Sequence, residues 1–187
     1  MSPENRIVSR PTVSVFGASA ATPGDGRYEE AVECGRLLAR SGFAVATGGY
    51  AGLMEAVSAG AASEGGHVIG VTAPGVFRGR EGANPHVAEE LLATTLTERI
   101  HELITVSDAS IALHGSLGTA AELIVAWNLA FVAQFSGVAP HPVIAVGSRW
   151  GELVATLARA LETDGDLVTC VPDVESAVRA VVHRLGR

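Results

Sequence analysis

The sequence predicts an α/β fold: a parallel sheet with helices on both faces, in a single domain over residues 1–187. Three observations predict it. Short apolar runs alternate with segments of helical spacing along the chain. The apolar runs are continuous, as expected of strands covered on both faces. Glycine-containing turns follow three of these runs, after Phe16, Thr47 and Leu113, where strand passes into helix.

The elements follow in order. A first strand is expected over 12–17, then a turn at Pro23-Gly24-Asp25-Gly26, then a helix over 27–40 that Ser41-Gly42 ends. A second strand over 43–47 meets the glycine turn Gly48-Gly49-Tyr50-Ala51-Gly52, and an alanine-rich helix covers 53–64. A third strand covers 68–71. Residues 73–90 read as a loop, carrying Pro74, Gly75, Gly79, Gly82 and Pro85. Its length is unusual in a compact domain, and such loops often cover active sites. A short strand is expected over 91–94, and a helix over 96–106 capped by Thr95 or Thr97. The strand over 109–113 runs into the stretch HGSLGT, and a greasy helix begins near Thr119. A strand over 142–146, a helix over 150–162, a strand over 167–171 and a helix over 174–185 complete the chain. Residues 1–10 read as a flexible tail.

Composition excludes several chemistries. All 13 basic residues are arginine, so there is no lysine for a Schiff base or a Walker motif. Pyridoxal-phosphate chemistry is therefore excluded. A net charge of −7 gives no footprint for a nucleic-acid polymer. Cys34 and Cys170 lack metal spacing, so no metal site and no cofactor are expected. No uninterrupted apolar stretch reaches the roughly 20 residues of a membrane span, and 1–11 has no signal-peptide core. The expected location is the cytoplasm, with no membrane partner.

In parallel α/β sheets, ligands bind beyond the carboxyl ends of the strands, where the three glycine turns would converge. Glycines let backbone approach a ligand closely. Helix N-termini offer unpaired N–H groups and partial positive charge. Together they hold an anion without lysine. Gly115, Ser116, Gly118 and Thr119 fit such a phosphate cradle, with Gly48-Gly49 as a second wall and Ser19 as a third contact. Glycine after a strand is also simply a tight connection, and Glu122 also fits an acidic residue in a helix first turn.

These segments resemble the LOG (Lonely Guy) family, also called lysine decarboxylase-like, whose members are Rossmann-like phosphoribohydrolases of cytokinin nucleotides. The family signature PGGxGTxxE is similar to His114-Gly115-Ser116-Leu117-Gly118-Thr119-Ala120-Ala121-Glu122. Its GGGxxGLM segment resembles Thr47-Gly48-Gly49-Tyr50-Ala51-Gly52-Leu53-Met54, and its first-strand turn resembles Phe16-Gly17-Ala18-Ser19. The resemblance implies catalytic Arg99 and Glu122, and a nucleotide held by Ser19, Gly48, Gly49, Met54, Gly115, Ser116, Gly118 and Thr119. On its own Met54 reads as core, and Arg99 as a surface ion pair with Glu98 and Glu102. Arg78 and Arg80, in the long loop, are either phosphate contacts or exposed charges.

The implied activity is cleavage of a nucleoside 5′-monophosphate, such as AMP or a cytokinin monophosphate, to free base and ribose 5-phosphate. Lysine decarboxylation is excluded with the lysine. His114 and Ser116 depart from the signature, which leaves open a non-catalytic carrier of a nucleotide or of the molybdenum cofactor. An NAD dehydrogenase fits poorly, since no GxGxxG follows the first strand. The helix after the signature has only Asn128 and Gln134 as polar residues over 123–135, so it needs cover on a second side. A homodimer is expected from this pattern and from the resemblance.

Overall fold

The computed structural model describes residues 10–77, 79 and 82–186. The tail expected over 1–10, Arg10 excepted, lies outside the described residues, as do Arg78 and Arg80. Among the described residues, the strands are β1 (Thr12–Phe16), β2 (Ala44–Thr47), β3 (Val68–Thr72), β4 (Glu89–Leu92), β5 (Ala109–Ala112), β6 (Val143–Val146) and β7 (Val168–Val171). The helices are α1 (Gly26–Arg40), α2 (Leu53–Ser63), α3 (Leu96–Thr105), α4 (Leu117–Ser136), α5 (Ser148–Leu161) and α6 (Val174–Arg184).

All seven strands are parallel in one sheet, ordered β4-β3-β2-β1-β5-β6-β7. Strand residues alternate between two cores. Val13, Val15, Val45 and Ile111 face α1, α2 and α6, whereas Phe16, Ala46, Ala112 and Ala145 face α3, α4 and α5. Both faces are buried, which is why the strands read as continuous apolar runs. The chain winds outward from β1 to β4, then returns to the other side of β1 at β5. That reversal opens a crevice beyond the carboxyl ends of β1 and β5.

Three boundaries differ from the sequence reading for physical reasons. β4 starts at Glu89, earlier than expected, because it is an edge strand whose polar side chains stay exposed. Its Glu90 accepts from Thr72 Oγ1 at 2.7 Å, and Glu89 pairs with His67 at 2.9 Å. α4 starts at Leu117, because extended Ser116 already serves as its N-cap. α5 starts at Ser148 after Gly147, whose φ of 99° turns the chain into the helix. At α3, Thr95 is the cap, accepting from Glu98 N at 3.1 Å.

Among the described residues, α4 is the one helix long and apolar enough to cross a membrane by length and composition. Its inner stripe, including Glu122, Leu123, Ala126 and Trp127, packs into the globule. Trp127 Nε1 donates to the Asp164 carbonyl at 2.9 Å, fixing the helix against the turn before β7. Its outer stripe, with Ile124, Val125, Leu129, Val132 and Phe135, is exposed.

Candidate active site

Backbone bonds gather the three turns at the crevice. Ala18 N–H donates to the His114 carbonyl at 3.0 Å, tying the turn after β1 to the turn after β5. Leu53 N–H donates to the Ala18 carbonyl at 2.8 Å, adding the turn after β2. The signature-like segments, separated by about half the chain, therefore meet at one edge.

Arg99 and Glu122 form the centre. Arg99 rises from α3 and is only 5% exposed. Its Nε donates to the Val71 carbonyl at 2.8 Å, and Nη2 to the Gly48 carbonyl at 3.0 Å. Its Nη1 donates to Glu122 Oε1 at 3.4 Å. The guanidinium carbon stands 5.6 Å from the Tyr50 ring centre and 5.5 Å from that of Phe77, within cation–π range. The two rings meet edge to face. Arg99 is thus an inward-facing group, and the surface pairing with Glu98 and Glu102 is not formed. Glu98 instead accepts from Thr94.

Glu122 is buried one turn inside α4. Burial pushes its carboxyl up to about 7, while Arg99 pulls the other way. Removing a carboxylate from water favours its neutral form, and one long bond to Arg99 offsets only part of that. The result is a carboxyl poised to exchange a proton near neutrality.

The remaining sequence-derived residues divide into two groups. Gly48, Gly49 and Met54 lie with Arg99. A Cβ at Gly48 would collide with the guanidinium, so glycine here admits the arginine. Gly49 has φ +73°, and its N–H is held by Thr47 Oγ1 at 3.1 Å. Met54 Sδ sits 3.7 Å from Arg99 Nη2. Ser19, Gly115, Ser116 and Gly118 form a more open rim. Thr119 is buried beneath Gly115, where a Cβ would strike its side chain. The side chain of Ser116 makes no capping bond, and the first-turn N–H groups of α4 lie along this rim. An anion placed there would meet those donors and the positive end of the helix.

Sequence reasoning gave no role to Trp150, Phe77 or Asn84. Trp150, buried on α5, donates from Nε1 to the Leu113 carbonyl at 2.9 Å and so anchors the start of the HGSLGT turn. It also lines a groove of about 550 Å³ with Gly115, Ser116, Leu117 and Arg149. Phe77 lies in the long loop, where an aromatic residue carries no periodic signal. Asn84 precedes Pro85, an Asn-Pro pair that marks turn chemistry without saying what the turn holds.

Known proteins resemble this chain in sequence and in fold. The SLOG cluster4 family matches residues 10–132. A cytokinin riboside 5′-monophosphate phosphoribohydrolase of Mycobacterium tuberculosis is 33% identical over 180 residues, covering 90% of this chain and 92% of that protein. A probable enzyme of the same name from rice (Oryza sativa subsp. japonica) is 37% identical over 118 residues, 62% of this chain. There the match spans only about half of the relative, 52% of its length. Among solved structures, the molybdenum cofactor binding protein of Rippkaea orientalis superposes with a TM-score of 0.74 at 25% identity, covering 94% of this chain and 98% of that one. The family match across most of the chain and the near full-length mycobacterial relative agree with the order of the turns, and the chain belongs to the SLOG cluster4 family and to the LOG family of Rossmann-like proteins.

Proposed function

We propose that this protein is a nucleoside 5′-monophosphate phosphoribohydrolase of the cytokinin riboside 5′-monophosphate type, acting in the cytoplasm as a homodimer. The observation that carries the reading is the buried Arg99–Glu122 pair beside the open N-terminus of α4. The phosphate lies over the rim formed by Ser19, Gly115, Ser116 and Gly118, with Thr119 beneath it. Its ribose then faces Glu122. As the C1′–N bond breaks, positive charge grows at C1′, and an ionised Glu122 stabilises it. Glu122 also takes a proton from the attacking water, whose oxygen bonds to C1′, while the C1′–N electron pair leaves with the base, which is protonated by solvent water. Arg99 is held by two backbone carbonyls, so its part is to fix the carboxylate and keep its ionised form accessible.

The test is release of free base from a panel of nucleoside monophosphates that includes AMP and isopentenyladenosine monophosphate. Calorimetry with the monophosphates and their nucleosides runs beside it. Turnover with tighter binding of the monophosphate is expected. Equal affinity for the nucleoside would overturn the phosphate rim.

A second reading is a carrier of a nucleotide or of the molybdenum cofactor. It is favoured by the likeness to the Rippkaea orientalis protein and by His114 and Ser116 standing where the LOG signature has proline and glycine. Tight binding without cleavage of any panel member would select it.

A further inference from the structure

Asn84 holds the glycine turn after β2 through both its backbone and its side chain. Its backbone N–H donates to the Gly49 carbonyl at 2.7 Å. Its side-chain Nδ2 donates to the same carbonyl at 3.1 Å and to the Tyr50 carbonyl at 3.2 Å, with Ser58 Oγ at 3.5 Å. Its Oδ1 accepts from His86 N–H at 3.1 Å, which fixes the amide's orientation: every neighbour on the Nδ2 side is an acceptor. A second strap lies nearby, where Ala73 N–H donates to the Tyr50 hydroxyl at 2.8 Å.

The turn held this way is the one that holds Arg99. Gly48, adjacent to Gly49, gives its carbonyl to Arg99 Nη2, and Tyr50 lays its ring beside the guanidinium. Thr47 Oγ1 closes the turn from inside, accepting from Gly49 N–H and lying 3.3 Å from Ser58 Oγ. The contacts form one chain: Asn84 to the Gly49 and Tyr50 carbonyls, the turn to Arg99, and Arg99 to Glu122.

We propose that Asn84 is a positioning residue for the Arg99–Glu122 pair, acting through the Gly48–Gly49–Tyr50 turn. The inference rests on the hydrolase reading for its kinetic consequence, but not for its structural one. Small misplacements of a reacting group are costly, because catalysis depends on a near-attack geometry. Without the amide, the carbonyls of Gly49 and Tyr50 lose a donor and the turn relaxes. Arg99 then loses its Gly48 anchor and draws away from Glu122. Among the described residues, Arg99 is what opposes the effect of burial on Glu122, so the carboxyl then holds its proton more strongly.

The test uses Asn84→Ala and Asn84→Asp in the full chain. The aspartate has the same shape but sets an oxygen against two carbonyls. Two readouts separate the inference from the hydrolase reading. Carbon-13 NMR of labelled glutamate follows the titration of Glu122 without any turnover, and Glu122→Gln identifies its resonance. Steady-state kinetics then divide kcat from KM. In both variants the Glu122 titration is expected to move upward in pH. The ascending limb of the rate profile moves with it, and kcat falls on the order of 10- to 100-fold with KM nearly unchanged. If the wild type turns over nothing but the titration still moves, Asn84 positions the pair and only the hydrolase reading fails. A Glu122 titration unchanged in a folded variant overturns the inference. So does failure of both variants to fold, since Asn84 would then hold the fold rather than the site.

Discussion

Glu122→Gln keeps the size of a buried side chain and its capacity to accept from Arg99 Nη1, while removing the charge. An interaction made mainly in the transition state shows in the rate rather than in ground-state affinity. The substitution is therefore expected to lower kcat by about 10²-fold or more, with monophosphate binding by calorimetry largely intact. Wild-type turnover in this variant would end the catalytic assignment. The same carboxyl predicts two opposite pH trends. Its folded-state value, about 7, lies above the ordinary 4.5, so the folded protein binds this proton more tightly than the unfolded chain. Its contribution to stability is fully present below the unfolded value and is lost as pH rises through about 7. Activity needs the ionised form, so kcat/KM should rise across that same interval. Urea denaturation of wild type and Glu122→Gln between pH 4 and 8 checks the first trend. Relative to wild type, the variant should gain stability as pH increases.

At the scale of elements, α1 and α2 approach so closely that each presents a glycine to the other's backbone. A Cβ at Gly35 would meet the Val57 carbonyl and Ala61 N, and one at Gly60 would meet the Val32 carbonyl. Gly60→Ala gains roughly 1 kcal/mol of helix propensity. The overlap is with backbone, which cannot swing aside, so the net effect should be a loss of about 1–3 kcal/mol in denaturant unfolding. Gly118→Ala is the control: a Cβ there meets nothing within 4 Å, and stability should hold or rise. A Gly60→Ala protein as stable as wild type would show that the helices separate freely. The pair also marks where the sequence stopped being legible. Apolar runs and glycine turns exposed the strands and the three loops, because strand burial and turn geometry leave local signals. The resemblance added Arg99 and Glu122 as a pair. Close helix contact leaves no such signal, since Gly35 and Gly60 lie in different helices and only packing relates them. Phe77 and Asn84 were hidden for a similar reason: they sit in a loop whose partners, Arg99 and the turn after β2, are distant in sequence. Edge strand β4 was partly hidden too, because Glu89 and Glu90 suit an exposed edge and read as loop.

At the scale of the whole molecule, the outer surface of α4 remains to be explained. Val132 is 51% exposed, Phe135 76% and Leu161, on neighbouring α5, 67%. Between the two helices runs a cleft of about 460 Å³ lined by Ile124, Trp127, Phe131, Leu157 and Leu161, among others. Monomeric proteins rarely expose continuous apolar patches of more than a few hundred Å². One face of α4 is already committed to the sheet, so a second copy is the proposed cover, with α4 meeting its symmetry mate across a two-fold axis. Such an interface repeats each substitution on both sides. Val132→Asp would then bring two carboxylates into one apolar seam, each losing water without gaining a partner. Sedimentation at micromolar concentration should give a dimer for the wild type and a monomer for Val132→Asp. Far-ultraviolet circular dichroism of the variant should remain that of the folded chain, because the substituted side chain lies on the outer stripe. A wild type that sediments as a monomer would overturn the dimer. If Val132→Asp stays dimeric, the interface lies elsewhere and the apolar stripe has a different occupant. If the variant is monomeric and folded but loses turnover while still binding monophosphate, the outer face of α4 acts on the chemistry as well as on assembly, since Glu122 projects from the inner face of the same helix.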